Sequence, residues 1–224
     1  MKYRNNLHIG NFDYKIDPKY IAQQPIEPRD HARLLVYERI TKKIAHRHVY
    51  DLVDYLNRND VLVLNDTRVV HSRLFGKKLT GGKVELLLLD EISDNRWRCL
   101  VKGSGIKNGT VIEFDRFELK CEVESRDESG SCVVEFSDVV DKVINEIGKI
   151  PLPPYIKEPL IDTERYQTVY SVEKGSVAAP TAGLHFTKQL LEAILDIGVK
   201  VVTVTLHVGL DTFAPVRVQQ IDKH

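Results

Sequence analysis

Two histidines stand in short runs that hold little else able to exchange a proton near neutral pH. His185 lies in Ser-Val-Ala-Ala-Pro-Thr-Ala-Gly-Leu-His-Phe-Thr, residues 176–187, and His207 in Thr205-Leu206-His207-Val208-Gly209. Ala178, Ala179, Ala182 and Gly183 carry almost no side chain, so main-chain amides there can approach a ligand closely, while Pro180 fixes one dihedral. That pattern suits a ligand loop with an acid or base beside it; a small-residue linker carrying a structural histidine is the equally balanced alternative. Asn65-Asp66-Thr67-Arg68 places four hydrogen-bonding groups directly after the apolar run Val61 to Leu64. The carboxyl end of a buried strand is where open α/β sheets hold ligands, and the density of polar groups favours that reading over an Asx-turn followed by a surface arginine. Arg29 and Arg33 flank Asp30 and His31 and could grip a phosphate or carboxylate in bidentate fashion, the alternative being an Arg-Asp pair that pins the loop. Glu85 follows Gly81-Gly82, whose lack of side chains allows close backbone approach; an outward strand glutamate fits the spacing equally well.

The elements that must position these groups follow from periodicity and punctuation. Asp17-Pro18 opens a short helix over Lys19 to Gln23 that Pro25 and Pro28 stop. Leu34 to Tyr37 and Lys43 to Val49 read as a hairpin. Leu52, Val53 and Leu56 have helical spacing, and Val61 to Leu64 reads as a strand buried on both faces. From Val69 the grammar changes. Short strand-like runs at Arg73 to Gly76, Val84 to Leu89, Trp97 to Val101, Val111 to Phe114, Leu119 to Val123 and Cys132 to Phe136 are separated by Gly, Asn, Asp and Ser, which predicts a small β-barrel. Ser137 is placed to cap a helix bearing Val139, Val140, Val143, Ile144 and Ile147, with Gly148 as its stop. Pro151-Leu152-Pro153-Pro154-Tyr155 is a stiff connector back to the parent unit. Thr187 caps a helix through Leu190, Leu191, Ile194 and Leu195; Gly198 ends it, and Val199 to Leu206 makes a second buried strand. The fold class is therefore α/β: a parent domain, residues 1–68 and 151–224, interrupted by an inserted small antiparallel β-barrel domain at 69–150. His185 and His207 bracket one helix-strand unit, and a shared site is the simplest reason.

Composition bounds the function classes. With 42% apolar and 29% charged residues the chain reads as an ordinary globular protein of the cytoplasm, with no signal peptide and no membrane span. Cys99, Cys121 and Cys132 have neither a paired count nor metal-ligand spacing, so reduced core thiols are expected and no metal site. Net charge is zero, yet residues 1–80 hold 15 Lys/Arg against 9 Asp/Glu and residues 84–146 hold 8 against 15. A polyanion would thus meet the first region more readily than the middle. No Gly-x-Gly-x-x-Gly, Walker loop, His-Glu-x-x-His or Gly-x-Ser-x-Gly is present, which removes the usual nucleotide-binding, protease and esterase readings.

Taken together, Asp66-Thr67-Arg68, Gly81-Gly82-Lys83-Val84-Glu85, Pro151-Leu152-Pro153-Pro154-Tyr155, residues 176–187 and Thr205-Leu206-His207-Val208-Gly209 resemble the S-adenosylmethionine:tRNA ribosyltransferase-isomerase (QueA) family. The resemblance runs from Phe12-Asp13-Tyr14 to the last residue. It implies an α/β domain interrupted by a β-barrel, the architecture reached separately from spacing. It also implies that the ribosyl part of S-adenosylmethionine is transferred and isomerised onto 7-aminomethyl-7-deazaguanine at the tRNA wobble position, giving epoxyqueuosine-tRNA, adenine and methionine. S-adenosylmethionine would be a co-substrate, with no further cofactor, and the protein a cytoplasmic monomer.

Carried onto this chain, the resemblance makes His185 and His207 the catalytic pair, with the roles of base and acid unassigned. Asp66, Thr67, Arg68, Ala179, Thr181, Ala182, Gly183 and Gly209 would hold S-adenosylmethionine. Arg29 and Arg33 would meet tRNA phosphate, and Tyr166 or Phe213 would stack on a splayed wobble base. The chain departs from the family in two ways: Asp211 stands where members commonly have Gly, and the family continues past Asp222-Lys223-His224, which implies a missing C-terminal part. Two competing readings follow, a tRNA-binding remnant without catalysis and an ordinary S-adenosylmethionine methyltransferase. The second lacks its expected glycine-rich strand-turn-helix.

Overall fold

The fold was obtained as a computed structural model, which describes residues 7–127, 130–140, 143–209, 212 and 216–223. Its central body is a closed barrel of six antiparallel strands in the order β10-β7-β6-β5-β8-β9. These are β5 (Arg73–Lys78), β6 (Lys83–Ser93), β7 (Arg96–Lys102), β8 (Val111–Glu113), β9 (Lys120–Arg126) and β10 (Ser131–Phe136). Alternation along each strand sends one set of side chains inward: Val84, Leu86 and Leu88 from β6, Cys121 and Val123 from β9, Cys132, Val134 and Phe136 from β10. Leu74, Leu86, Ile112, Val123 and Val134 have no exposed surface, and burial of each such side chain contributes about 1.5–3 kcal/mol. Closure leaves no sheet edge to aggregate. Gly76 is required where β5 meets β8, because a Cβ there would lie 2.7 Å from Ile112 Cγ2 and 2.8 Å from Glu113 O. The three thiols lie in this core, where burial raises each pKa, that of Cys121 to about 12.

The remaining strands form three pairs. β1 (Arg33–Tyr37) and β2 (Ile44–His48) make the expected hairpin; β3 (Val61–Asn65) pairs in parallel with β12 (Lys200–Val204), and β4 (Thr67–Val69) in parallel with β11 (Glu173–Ser176). The parallel pairing of β3 with β12 carries the α/β character, with α2 (Lys188–Asp196) as the crossover helix. Leu64, Leu190, Ile194, Val199 and Phe186 form the core between the β3–β12 pair and α2. Thr187 Oγ1 accepts from Leu190 N at 3.0 Å, and Gly198, at φ +85°, terminates the helix as its spacing predicted.

Four expectations need correction. β3 and β12 are not buried on both faces: Val61, Val63, Val202 and Val204 are exposed, because only the Leu62/Leu64/Val201 side packs against α2. The helix expected from Ser137 is a single turn, α1 (Ile144–Ile147), and Ser137 Oγ accepts instead from Lys120 N in the barrel. The helix expected over Lys19 to Gln23 is one 3-10 turn, Pro18–Tyr20, capped by Asp17 Oδ1. Val49–Tyr55 is likewise 3-10 rather than α. No helix among the described residues is long and apolar enough to cross a membrane.

Candidate functional site

The carboxyl end of β3 builds the first half of the site. Asn65 Nδ2 donates to Leu206 O at 2.8 Å while its Oδ1 accepts from Leu206 N at 3.0 Å, so one side-chain amide locks the backbone just past β12. Asp66 Oδ1 accepts from Thr205 Oγ1 at 2.7 Å. Between these clasps Thr67, 1% exposed, shares a 2.8 Å hydrogen bond with His207 Nδ1. Thr67 Oγ1 also lies 3.4 Å from Glu173 O. If the hydroxyl donates there, His207 Nδ1 is the donor to Thr67 and Nε2 is left with its lone pair, the form a general base needs; the opposite hydroxyl orientation gives the Nε2–H acid form. Gly175, at φ +144°, underlies the ring: a Cβ on it would stand 2.9 Å from both Cε1 and Nε2 of His207. Ser176, fully buried, donates from Oγ to Ala178 O at 2.8 Å and accepts from Val208 N at 2.8 Å, fastening the 176–179 turn to the segment that carries His207.

His185 occupies different surroundings. It lines a cavity of about 280 Å³ together with Arg29, Arg165, Tyr166, Thr181, Leu184, Leu160, Pro25 and Ile26, and His207 is not among the lining residues. Burial lowers the His185 pKa below its ordinary value, the Arg165 cation acts in the same direction, and the Arg29 main chain opposes them. Neutral imidazole is thus favoured at this rim. Arg165 is only 14% exposed. Its Nη2 donates to Ile26 O at 2.8 Å, and its Nε lies 2.5 Å from Glu27 Oε1 as an ion pair without hydrogen-bond alignment.

Several expected contacts have other partners. Arg29, expected to meet phosphate, spends its guanidinium on main-chain carbonyls: Nη1 on Gln167 O (2.6 Å) and Leu184 O (3.3 Å), Nη2 on Glu164 O (2.8 Å). It is a staple between the N-terminal segment and the His185 loop, and partial burial lowers its pKa. Asp30 does pin that loop, through Thr187 Oγ1 at 2.7 Å rather than through an arginine. Tyr166 is 7% exposed, with its phenol raised to about 12 by burial, so little of its ring is open to solvent and what it presents faces the cavity it shares with His185. Arg68 donates to Ser171 Oγ at 3.0 Å and is ion-paired with Glu164. Arg33 stays exposed on β1 opposite His48. Ala179 is buried and Gly183 sits under Tyr170 Oη, 2.2 Å from where a Cβ would be; Thr181, Ala182 and Gly209 are exposed. Glu85 is paired with Arg73 at 2.7 Å. Phe213 and Asp211 lie outside the described residues.

Three residues act as positioning groups, a role the sequence did not assign them: Asn65, Ser176 and Gln167. Gln167 is 3% exposed, donates to Val69 O at 2.8 Å and accepts from Val69 N at 2.9 Å, completing the strand that Val69 ends.

Comparison with known proteins agrees on one family. The family described as "Queuosine biosynthesis protein" matches residues 9–224. Similar curated proteins, each named S-adenosylmethionine:tRNA ribosyltransferase-isomerase, come from Acetivibrio thermocellus (48% identity over 222 residues), Desulforamulus reducens (46% over 222) and Thermotoga maritima (45% over 219). Each alignment covers 97% of this chain, and the chain spans only 65% of each relative's length. A crystal structure of S-adenosylmethionine tRNA ribosyltransferase from Thermotoga maritima covers 88% of this chain and 58% of its own at 34% identity, with a TM-score of 0.37. The match across nearly the whole described chain is decisive, and the chain belongs to the queuosine biosynthesis protein family.

Proposed function

We propose that this chain carries the S-adenosylmethionine-handling part of a tRNA ribosyltransferase-isomerase. The ribosyl group of S-adenosylmethionine would pass, with isomerisation, to 7-aminomethyl-7-deazaguanine at the tRNA wobble position, leaving epoxyqueuosine-tRNA, adenine and methionine. The observation that carries the reading is the Thr67–His207 hydrogen bond, set just past the carboxyl ends of the parallel β3–β12 pair and at the amino end of the parallel β4–β11 pair. It fixes which imidazole nitrogen faces outward, which is what a proton-transfer group requires.

The chemistry needs two proton events. A sulfonium acidifies the adjacent ribose C5 protons, so a base can remove one, and adenine departs more readily when a donor protonates or hydrogen-bonds its ring. His207, oriented by Thr67, suits the first event. His185, held toward its neutral form beside an apolar cavity, suits contact with adenine, whose flat ring matches such walls. Asp66, with its carboxylate bonded to Thr205, and exposed Thr181 would complete the ribose and main-chain contacts.

The test is incubation with S-adenosylmethionine and tRNA bearing the aminomethyl-deazaguanine base, with free adenine as the readout. Adenine release by the parent chain and its loss, on the order of 10²-fold or more, in His207→Ala is the expected result. Adenine release by His207→Ala at the parent rate would remove that residue from the mechanism. S-adenosylhomocysteine as product would make the protein a methyltransferase, and retention of tRNA with neither product a binding protein without turnover.

A further inference from the structure

A second concavity, of about 770 Å³, lies where the barrel meets the 149–160 segment. Its wall carries His71, Arg73, Lys102, Lys149 and Lys157, with Glu158 the one carboxylate lining it among the described residues. This is the reverse of its surroundings, since residues 84–146 hold 15 acidic against 8 basic side chains. A groove with a net excess of one sign, walled by low-dielectric protein, focuses its field, so the local potential is set by Arg73 and the three lysines rather than by the barrel's sum.

The cations are also held in place. Exposed Phe75 has Arg73 Cζ at 5.4 Å and Lys149 Nζ at 5.3 Å from its ring centre, both within cation–π range. Arg73 and Lys149 are joined through their backbones, with N–H···O bonds of 3.1 and 2.8 Å in opposite senses. Gly148 makes that junction possible: a Cβ there would fall 2.0 Å from His71 O. Arg73 shares its charge with Glu85 through Nε, and Lys157 leans on Pro154 O, whereas among the described residues neither Lys102 nor Lys149 has an ion pair, the Lys149 ammonium lying over the Phe75 ring. Two lysines are therefore free to meet an anion, with a fixed arginine between.

We propose that this groove receives the phosphodiester backbone of the RNA substrate, with phosphates on Lys102 and Lys149 and Arg73 as the central anchor. The proposal rests on the tRNA-modifying reading above and assigns a surface to it. It answers a need created by the structure, because the guanidinium of Arg29 is consumed by carbonyls and Tyr166 is buried. A polyanion matches this wall because its basic groups come from separate segments, Arg73 and Lys102 from barrel strands and Lys149 and Lys157 from the chain that follows, so successive phosphates can each meet a cation.

The rival surface is the β1–β2 hairpin, where Arg39 and Lys43 are exposed near Tyr37. Binding of a tRNA transcript is measured by fluorescence anisotropy from 50 to 300 mM salt for the parent chain, Lys102→Ala/Lys149→Ala, Arg39→Ala/Lys43→Ala and the barrel control Lys107→Ala. Each phosphate contact contributes about 0.7–0.9 to the log–log salt slope. The groove variant should lose about 1.5 from that slope and bind at least about tenfold more weakly at low salt, with Lys107→Ala unchanged and all melting temperatures equal. A parent-like slope in the groove variant, or the whole loss falling on the hairpin variant, overturns the assignment. Adenine release is scored separately: parent-like RNA binding by the groove variant with adenine release intact refutes the groove alone, whereas groove-dependent RNA binding without adenine release refutes the transferase reading alone.

Discussion

Replacing Gly175 with Ala should strain the backbone at that residue and disturb the site through His207. The residue sits at φ +144°, where an L side chain is strained, and the added Cβ would meet Nε2 and Cε1 of His207 at 2.9 Å and Nδ1 at 3.1 Å. Strain at such a dihedral costs about 1–3 kcal/mol. The ring can escape the contact only by rotating away, which breaks its 2.8 Å bond to Thr67, worth about 0.5–1.5 kcal/mol. Summed at mid-range, the loss is about 3 kcal/mol, which for a chain of this size lowers Tm by about 6–12 °C. Because Thr67 would then release Nδ1, the tautomer preference set by that bond should also relax. Differential scanning calorimetry measures the first effect and ¹⁵N chemical shifts of the His207 ring the second. A Gly175→Ala chain that melts within about 2 °C of the parent, with unchanged ring shifts, would show that His207 is not held as described.

Two further outcomes are expected. Gln167→Leu leaves both Val69 N–H and Val69 O without partners in a buried strand, so urea denaturation should show a loss of about 2–5 kcal/mol, while Gln167→Glu keeps only the acceptor half. His185 has a folded pKa below its unfolded value of 6.5; the unfolded chain then binds more protons between the two values, so this group's contribution to stability is lost as pH falls through that window. Comparing parent and His185→Gln melting at pH 7.5 and 5.5 should show a smaller acid-side decline in the variant, and identical declines would contradict the assigned shift.

The barrel was legible because its strands repeat one rule, inward apolar alternating with outward polar, and because Gly and Asn mark the turns between them. Thr187 and Gly198 were legible as helix ends for the same local reason. What local pattern cannot encode is which strands have a second neighbour. Val61 and Val63 match a doubly covered strand in type, yet their outward face has no packing partner among the described residues. The site divides in the same manner. His207 and Thr67 were recognisable as polar groups at strand ends, but their 2.8 Å contact joins residues 140 apart. Arg29 was recognisable as a grip; that it grips carbonyls, not phosphate, depends on where Glu164, Gln167 and Leu184 fold. Gly183 was read as room for a ligand, and the space is filled by Tyr170.

The Arg73–Lys149 junction also bears on how quickly the chain can fold. β4 must find β11 across 106 residues, and such parallel pairings are slow because loop closure comes before the contacts that reward it. The barrel's strands pair mostly with sequence neighbours and can close first. Once Arg73 and Lys149 are joined, the path from Thr67 to Glu173 shortens to about 30 residues, lowering the closure cost by about 1 kcal/mol, or roughly a sixfold gain in rate. The barrel would then act as a clamp that brings the two halves of the candidate site within searching distance, and a chain with Gly148→Ala, unable to close that junction, should refold more slowly even where its barrel forms normally.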